Sequence, residues 1–460
     1  MRALVSGLLA VVATLGSGCL SAGSGYDLTR QTVHERTNIQ VEDEDAARVR
    51  SEVLSKPLTA ESAAKLALAN NAAVEAALAG VGIGRAELMR AIRLPNPKGE
   101  IGVHFHEGEP DLEIGATIDI VTLLLLPARE TAASERLDAA SLEAAGVLLD
   151  IAYGAKVAFY EYQAAAQVLE LRKTITFATA QSAEIAARLL EAGNVPELEA
   201  LNERALYEET RLALARAEVA ESAARERLNA TLGLYGEDGA RWKVEARLGD
   251  PVAFDTTNLE SKAISKSIDL AVLKKRYGAA SVESDVAWAE GFLPEIEVGV
   301  GAERDEGIWE VGPNIGVEVP LFYQGQAEVA AADARMKQAK SGHTVTAVRI
   351  RSTARTLTSQ LRNAEQSAEF YRKTLLPLRE KIVDQTLRQY NAMNEGPFAV
   401  LQAKRDQIEA ARAYVEVLRD YWVTRAGAEM LLAGRTPAMP AASPSSAEAA
   451  PGGAARGGHD

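Results

Sequence analysis

The sequence predicts a mainly α-helical chain with a small antiparallel β part: long coiled-coil-like helical hairpins in two direct repeats, plus four transmembrane strands. Three observations predict this fold class. The stretch from Ala128 to Glu191 lacks proline, and its small and apolar residues recur at alternating steps of four and three, as in a coiled-coil seam. A similar stretch returns about 200 residues later. Each copy is preceded by two short segments in which apolar and polar residues alternate.

The first long stretch accounts for most of the predicted shape. Its seam consists of Leu137, Ser141, Ala144, Leu148, Ile151, Ala155, Ala158, Tyr162, Ala165 and Leu169. At about 1.5 Å per residue, these 64 residues form a helix of roughly 95 Å. A compact globular domain does not need such a rod, so we expect the rod to span a distance.

Three pairs of residues indicate a direct repeat. Pro95 matches Pro294, Gly193 matches Gly396 and Gly233 matches Gly434, at offsets of 199, 203 and 201 residues. Nearly constant offsets of this size argue for a duplicated structural unit.

Proline, glycine and breaks in periodicity set the predicted boundaries. We expect a signal peptide at 1–18, a lipidated N-terminus and extended strap at 19–58, a first repeat at 59–233, an equatorial segment at 234–267, a second repeat at 268–434 and a disordered tail at 435–460. The first repeat is predicted to hold a helix at 59–93, a strand pair at 100–121 and a long hairpin at 128–232, and the second a helix from 268, a strand pair at 295–322 and a hairpin at 327–432. Pro377 should kink the second hairpin.

The N-terminus has the features of a bacterial export signal. Arg2 precedes an apolar run from Ala3 to Leu15, which is too short for a comfortable membrane span. Small residues then lead to Cys19, the only cysteine, in an arrangement that resembles a bacterial lipobox. We therefore expect Cys19 to be lipidated, and the alternative is an ordinary secretory signal with an incidental cysteine. Leu20 stands where lipoproteins retained in the inner membrane carry aspartate, so this resemblance favours the outer membrane.

Composition and charge exclude several classes of function. The formal charge of −14 argues against nucleic acid as a partner. A lone cysteine excludes an internal disulfide framework. The sequence has no phosphate-binding loop, no HExxH metal motif and no catalytic constellation, so neither an enzyme nor a cofactor or resident metal is predicted.

Both strand pairs alternate with a period of two. Apolar residues such as Ile118, Val298 and Val317 share one side, and glycine and charged residues share the other. A membrane barrel requires this outward-apolar, inward-polar pattern, whereas a small soluble sheet with one buried face is the alternative. Because four strands cannot close a barrel and open edges do not occur in lipid, several chains must share one barrel. The predicted lumen-facing residues include His104, His106, Glu113, Asp119, Glu297 and Glu318.

The histidine pair lies two residues apart and therefore on one face of a strand. In the lumen, His104 and His106 could meet borderline cations such as Zn²⁺ or Cu²⁺. The alternative is that they are polar lumen residues with no metal role.

Taken together, the chain from about Thr59 to Gly434 resembles a TolC-family outer membrane factor. The matching stretches are Leu94–Pro97 and Phe292–Pro294 before the strand pairs, Val319–Gln326 after the second pair, Val400–Ala403 and the two helical tips. The resemblance implies a homotrimer with a 12-stranded barrel and a periplasmic α-barrel. It also implies an outer membrane location and partnership with a periplasmic adaptor and an inner-membrane pump. His34–Thr37 and the Tyr421–Trp422 region are similar to the heavy-metal efflux branch.

The same resemblance implies a periplasmic gate at the tips. The candidate gate residues are Glu197, Glu199, Glu203, Tyr390 and Glu395. Copies of one carboxylate around a narrow axis would make a cation-attracting constriction. The alternative is that these glutamates are solvated residues favoured near a helix N-terminus. The predicted function is a passive exit duct of tripartite efflux with metal ions or drugs as cargo, and the alternatives are a type I secretion duct or a lipid-anchored periplasmic scaffold.

Overall fold

The computed structural model describes residues 26–40, 46–105, 111–244, 247–305 and 308–437. The helices are α1 (Tyr26–Thr37), α2 (Ala46–Leu54), α3 (Ala60–Asn70), α4 (Ala72–Ala91), α5 (Ile120–Glu191), α6 (Glu197–Leu232), α7 (Gly236–Arg241), α8 (Leu259–Lys266), α9 (Ile268–Phe292), α10 (Gln326–Phe370), α11 (Leu376–Asn391) and α12 (Pro397–Leu432). The strands are β1 (Lys98–His104), β2 (Asp111–Asp119), β3 (Glu295–Asp305) and β4 (Ile308–Glu318), and a π-helical segment (Tyr371–Leu375) joins α10 to α11. The fold is therefore mostly helical with one small antiparallel sheet, as predicted.

The longest element, α5, has 72 residues and contacts most of the other helices. It begins at Ile120 because the Asp119 carboxylate caps it, accepting hydrogen bonds from the Val121 and Thr122 amides at 2.9 and 3.2 Å. The predicted start at Ala128 was wrong, since Pro127 lies inside the helix and does not end it. The predicted strand end at Val121 was also wrong, because β2 ends at Asp119 and the helix begins at the next residue.

The core runs along α5. Most of the predicted seam is confirmed as buried: Ser141, Ala144, Leu148, Ala155, Ala158 and Tyr162. The largest cluster joins α5 to α2, α3, α6 and Trp242 of the equatorial segment. A second cluster packs α8, α9, α10 and α12 together. Alanines alternate in these clusters with leucine and aromatic side chains, so the contacts combine small and large residues.

The sheet is a single meander in the order β1-β2-β3-β4, with every neighbouring pair antiparallel. Asp119 and Glu297 are register partners, as are Glu295 and Glu318, which places the junction with the helices at one end of the sheet. The two predicted strand pairs thus lie side by side. Their central contact, between β2 and β3, joins residues far apart in the chain.

The N-terminal region differs from the predicted extended strap. It contains α1 and α2, and α1 docks on the long helix, where the Thr29 hydroxyl donates to the Ser141 carbonyl at 2.9 Å. Val33 is completely buried there. Most residues of α1 are polar, and its few buried side chains are buried by contact with α5. Cys19 and the predicted signal peptide lie outside the described residues.

The predicted single helix at 59–93 is two helices. Asn71 separates α3 from α4, and its side-chain oxygen accepts from the Ala73 amide at 2.9 Å. In the described part of the chain no individual helix is long and apolar enough for a membrane span, although α3 and α4, bent by 52°, pass that test together by length and composition.

The two tips have the same backbone geometry, at a constant offset of 200 residues. Gly193 and Met393 both adopt positive φ, and the amides of Asn194 and Asn394 donate to the carbonyls of Leu189 and Gln389. The predicted match of Gly193 with Gly396 was wrong, because Gly396 is an N-cap with negative φ and occupies the place of Pro196. In the second tip, methionine and not glycine occupies the left-handed position.

The helix after the second strand pair is interrupted at the predicted place. The π-helical segment ends two residues before Pro377.

The chain beyond the last helix is docked at its start, since Arg435 binds Asp150 and Asp269. The predicted disordered tail therefore does not begin at 435, and residues 438–460 lie outside the described part.

Candidate functional site

The polar face of the sheet is the first candidate site. Side chains directly opposite each other in an antiparallel sheet point to the same side. The register therefore puts on one face Lys98, Glu100, Gly102, His104, Asp111, Glu113, Gly115, Thr117, Asp119, Glu297, Gly299, Gly301, Glu303, Glu310, Gly312, Asn314, Gly316 and Glu318. Glycines occupy the middle of this face and acidic residues occupy both ends. The face is thus open in its centre and negatively charged overall.

Near the helices, the acidic end is partly neutralised. The Lys98 ammonium contacts the Glu297 carboxylate and lies 3.5 Å from Glu295 Oε1. The Thr117 hydroxyl donates to Glu297 Oε2 at 3.1 Å. Asp119 lies beside this group and caps α5. Two of the predicted lumen residues, Asp119 and Glu297, are therefore adjacent and have structural partners.

At the other end, the carboxylates are less compensated. Glu113 lies opposite Glu303, which lies opposite Glu310. His104 Nε2 is 3.8 Å from Glu113 Oε2. His106 lies outside the described residues, so the predicted histidine pair is not described as a unit. Among the residues that the structure does describe, no group of three or more His, Cys, Asp or Glu is arranged to hold a metal ion.

The opposite face of the sheet is apolar and exposed. Its apolar residues are Ile101, Val103, Leu112, Ile114, Ala116, Ile118, Ile296, Val298, Val300, Ala302, Val311, Ile315 and Val317, and Arg304 lies on the same face at the end away from the helices. Ile101 is 77% exposed and Ile315 is 65% exposed, so the described part of the chain leaves these two side chains largely uncovered. A face of this size without cover is expected to meet an apolar partner or an apolar medium.

The first helical tip holds three of the predicted gate residues. Glu197 and Glu199 are in the first turn of α6, where acidic side chains interact favourably with the helix dipole. Glu197 is exposed and Glu199 is half-buried. Glu203 lies one turn further, and its carboxylate accepts a hydrogen bond from the Ser182 hydroxyl of α5. Glu203 therefore fastens the two limbs of the hairpin, a role that the sequence did not indicate.

The second tip holds Tyr390 and Glu395, both exposed in the single chain. Tyr390 is in the last turn of α11, and its carbonyl accepts from the Met393 amide at 2.9 Å. Within the described residues, no hydrogen bond or ion pair joins Tyr390 or Glu395 to the first tip. Tyr390 and Glu395 therefore do not link the two hairpins in the single chain.

Residues further along the helices make that link, and the sequence analysis predicted only Glu203 among them. Between the hairpins lies a groove lined by Ile175, Ala178, Thr179, Ser182, Glu203, Leu206, Phe398, Leu401, Gln402, Arg405 and Ile408. Arg172 of α5 forms an ion pair with Glu409 of α12 close to this groove. The sequence feature that could have indicated this groove is the apolar start of α12, from Phe398 to Leu401.

The chain is 24% identical over 371 residues to the cobalt-zinc-cadmium resistance protein CzcC of Cupriavidus metallidurans, covering 79% of this chain and 87% of the relative. No protein-family model matches the chain.

Solved structures share the fold over most of the chain. The outer membrane protein VceC of Vibrio cholerae superposes with a TM-score of 0.69 at 15% identity, covering 82% of this chain and 96% of VceC. CusC, a protein that forms a transmembrane channel, superposes with a TM-score of 0.65 at 17% identity, covering 82% of this chain and 92% of CusC. These likenesses confirm the predicted resemblance at the level of the fold.

Proposed function

We propose that this chain, whose fold is that of the TolC-family outer membrane channels, is the outer membrane exit duct of a tripartite efflux system. The observation that carries the proposal is the sheet, in which one face is predominantly apolar and largely exposed and the other is charged and rich in glycine. Lipid suits the first face and a water-filled lumen suits the second. The long helices then form the periplasmic part of the duct.

The open edges of the sheet support a homo-oligomer. β1 and β4 are the two edge strands, and unpaired strand edges do not occur in lipid. A ring of copies that pairs β4 of one chain with β1 of the next would remove both edges. The number that the family resemblance implies is three, which gives a barrel of 12 strands.

The helices offer a matching pair of free faces. Near the tips the contacts run from α6 to α5, then to α12 and α11, so α6 and α11 are the outer members of the row. Each carries exposed large apolar side chains at similar heights above the tip: Leu198, Leu201, Leu212 and Val219 on α6, and Leu378, Ile382 and Leu387 on α11, with Phe370 just before the π-helical segment. A neighbouring copy would cover both sets at once and close the helical barrel.

The remaining parts of the proposal follow from the same architecture. The duct is passive, and an adaptor and an inner-membrane pump supply its cargo. Similarity to a protein named for cobalt, zinc and cadmium resistance supports metal cations as that cargo. Cys19 is the residue proposed to carry the lipid anchor, with the large helical part in the periplasm.

A pair of neighbouring substitutions tests the membrane sheet. Ile315 points to the apolar face and Asn314 to the polar face. Ile315→Arg would place a charge in lipid, at a cost of about 2–4 kcal/mol in each copy near the bilayer midplane, whereas Asn314→Arg would face water. We expect the first variant to deplete the oligomer in purified outer membranes and the second to leave it at the wild-type level. Equal amounts of membrane-inserted oligomer for both variants would contradict the proposal and favour a lipid-anchored scaffold.

The cargo requires a separate experiment. A strain that lacks the gene should become sensitive to Co²⁺, Zn²⁺ or Cd²⁺, and wild-type protein should restore growth. If the wild-type protein restored only drug resistance to this strain, drugs and not metal ions would be the cargo. If the strain were impaired only in protein export, the type I secretion alternative would be favoured.

A further inference from the structure

A short strap from the equatorial segment, Gly249–Phe254, crosses α12 and is fixed to it at three points. The Gly249 carbonyl accepts from the Trp422 indole N–H at 2.8 Å. The Val252 carbonyl accepts from the Tyr421 hydroxyl and from Arg425 Nη1, the latter at 3.0 Å. Asp250, between these two carbonyls, makes the third contact. The strap therefore holds the upper part of α12 firmly.

Asp250 also reaches the second long helix. Its Oδ1 accepts from the Tyr414 hydroxyl of α12 at 2.9 Å, and its Oδ2 lies 3.1 Å from Arg372 Nη1. Arg372 belongs to the π-helical segment, and the ring of its neighbour Tyr371 stacks on Tyr414, with centroids 6.1 Å apart and planes at 27°. Burial and the nearby Asp250 raise the pKa of Tyr414 to about 12, so the phenol stays protonated and able to donate at physiological pH. One carboxylate thus joins the strap, α12 and the π-helical segment.

The π-helical segment divides the second long helix into two parts that differ in packing. Above it, α10 buries Ile350, Leu357, Leu361 and Ala368. Below it, α11 has no buried residue among those described, and its main neighbour is α12. By contrast, the first hairpin has an uninterrupted 72-residue helix with buried residues as far down as Ala186. Within a single chain α11 is therefore weakly packed, and in the proposed ring its exposed face would be covered by α6 of the next copy.

The backbone at this boundary is suited to bending. The Leu376 amide donates to the Tyr371 carbonyl five residues earlier, which is a π-type hydrogen bond. Pro377 has no N–H, so the usual i→i−4 bond to the Lys373 carbonyl cannot form. Helices kink most readily where such bonds are missing. The carboxylate of Asp250 therefore acts where the π-helical segment and Pro377 interrupt the regular hydrogen bonding of the long helix.

We propose that Asp250 is a latch on a hinge: while it binds Arg372 and Tyr414, α11 stays aligned with α10, and when these contacts break, α11 swings about the π-helical segment and widens the tip end. The Arg372–Asp250 pair is about half exposed, so water and salt weaken it and it can open reversibly. The hinge stands on the geometry of one chain. Its consequence for the tip opening rests on the proposed duct function.

Hydrogen exchange of the purified full-length oligomer tests the hinge directly. Asp250→Ala should increase amide exchange in residues 371–391 by about tenfold, while exchange in α6 stays unchanged, because local opening exposes only the released element. Asp255→Ala is the matched control, since Asp255 lies in the same equatorial segment and pairs locally with Lys262 at 3.0 Å. Unchanged exchange in 371–391, or an equal increase in both hairpins, would overturn the latch.

A charge exchange separates the latch from general damage. In the double variant Asp250→Arg with Arg372→Asp, the ion pair is restored with reversed polarity, so exchange in 371–391 should fall back at least part of the way. No recovery relative to Asp250→Arg alone would count against the pair.

Single-channel conductance in a planar bilayer then tests whether the hinge widens the tip end: Asp250→Ala should raise the conductance several-fold. Faster exchange without any conductance would leave the hinge standing and contradict the duct.

Discussion

Arg435 Nη2 lies 2.7 Å from Asp150 Oδ2, and this contact fastens the chain three residues beyond the last helix to the middle of α5. The same guanidinium binds Asp269 at the start of α9, and the Thr436 hydroxyl donates to Asp269 Oδ2 at 3.0 Å. Hydrogen bonding to Asp150, with the charges of both aspartates, raises the pKa of Arg435. Three elements that are distant in sequence therefore meet at one cation.

Removing that cation should destabilise the fold. Arg435→Ala leaves Asp269, whose side chain is only 11% exposed, without its charged partner. We expect a loss of about 2 kcal/mol in the free energy of unfolding, since hydrogen bonds to charged groups contribute that much when partly buried. Denaturant unfolding of the detergent-solubilised protein measures it. Arg188→Ala, which removes an exposed i,i+4 pair, should cost less than about 0.5 kcal/mol. Equal effects would show that the Arg435 contacts contribute no more than a surface pair.

Two helical glycines should respond in opposite directions to alanine. At Gly291, a Cβ would lie 2.0 Å from the Gln324 carbonyl oxygen, because the end of α9 touches the connection into α10. Gly291→Ala should therefore cost about 1–3 kcal/mol, as overpacking does. At Gly154, inside α5, the added carbon would have no described atom within 4 Å apart from the adjoining backbone of its own helix, so Gly154→Ala should stabilise by about 0.5–1 kcal/mol. Melting temperatures of the two variants measured side by side give the comparison, and a stabilised Gly291→Ala would contradict the close approach.

A buried phenol should make the fold sensitive to alkali. Burial, together with the charge of Glu429, raises the pKa of Tyr153 from 10.0 to about 12. Because the folded pKa is above the unfolded one, the contribution is complete below pH 10 and is lost as the pH rises from about 10 to 12. The loss at that tyrosine is on the order of 2 kcal/mol. Tyr153→Phe should therefore lose less stability than the wild type between pH 9 and 12, measured by denaturant titration.

The control for this comparison is Tyr235→Phe. The Tyr235 side chain is 84% exposed, so its removal should leave the alkaline profile of the wild type unchanged. A profile for Tyr153→Phe that coincides with the wild type would show that the Tyr153 hydroxyl is hydrated in the folded protein.

The sheet was the most predictable part of the fold. A strand has a period of two, so the alternation around Ile114 and Val298 fixes which side each residue faces once the strands exist. The faces in the structure agree with the sequence in all four strands. The long helices were predictable because their small and apolar residues follow one period for many turns.

The errors occurred where tertiary contact or backbone conformation overrides local pattern. In α1 only Thr29, Thr32 and Val33 are buried, so the segment has little helical signal of its own and depends on docking against α5. Met393 takes the positive φ that a search for glycine assigns elsewhere. The partners of Asp250 lie 122 and 164 residues away, and no spacing in the sequence connects them.

The acidic first tip should control ion preference if the chain forms the proposed duct. Glu199 is half-buried in the first turn of α6, so in a closed ring its copies would lie near the narrow end. Glu199→Ala removes one negative charge per copy within a Debye length of about 8 Å at physiological salt. We expect a lower preference for cations in single-channel recordings under a KCl gradient. Glu209→Ala, ten residues and about 15 Å further along the helix, is the control and should leave the reversal potential unchanged. Identical reversal potentials for wild type and Glu199→Ala would place the constriction elsewhere, and a shift only in Glu209→Ala would move it up the hairpin.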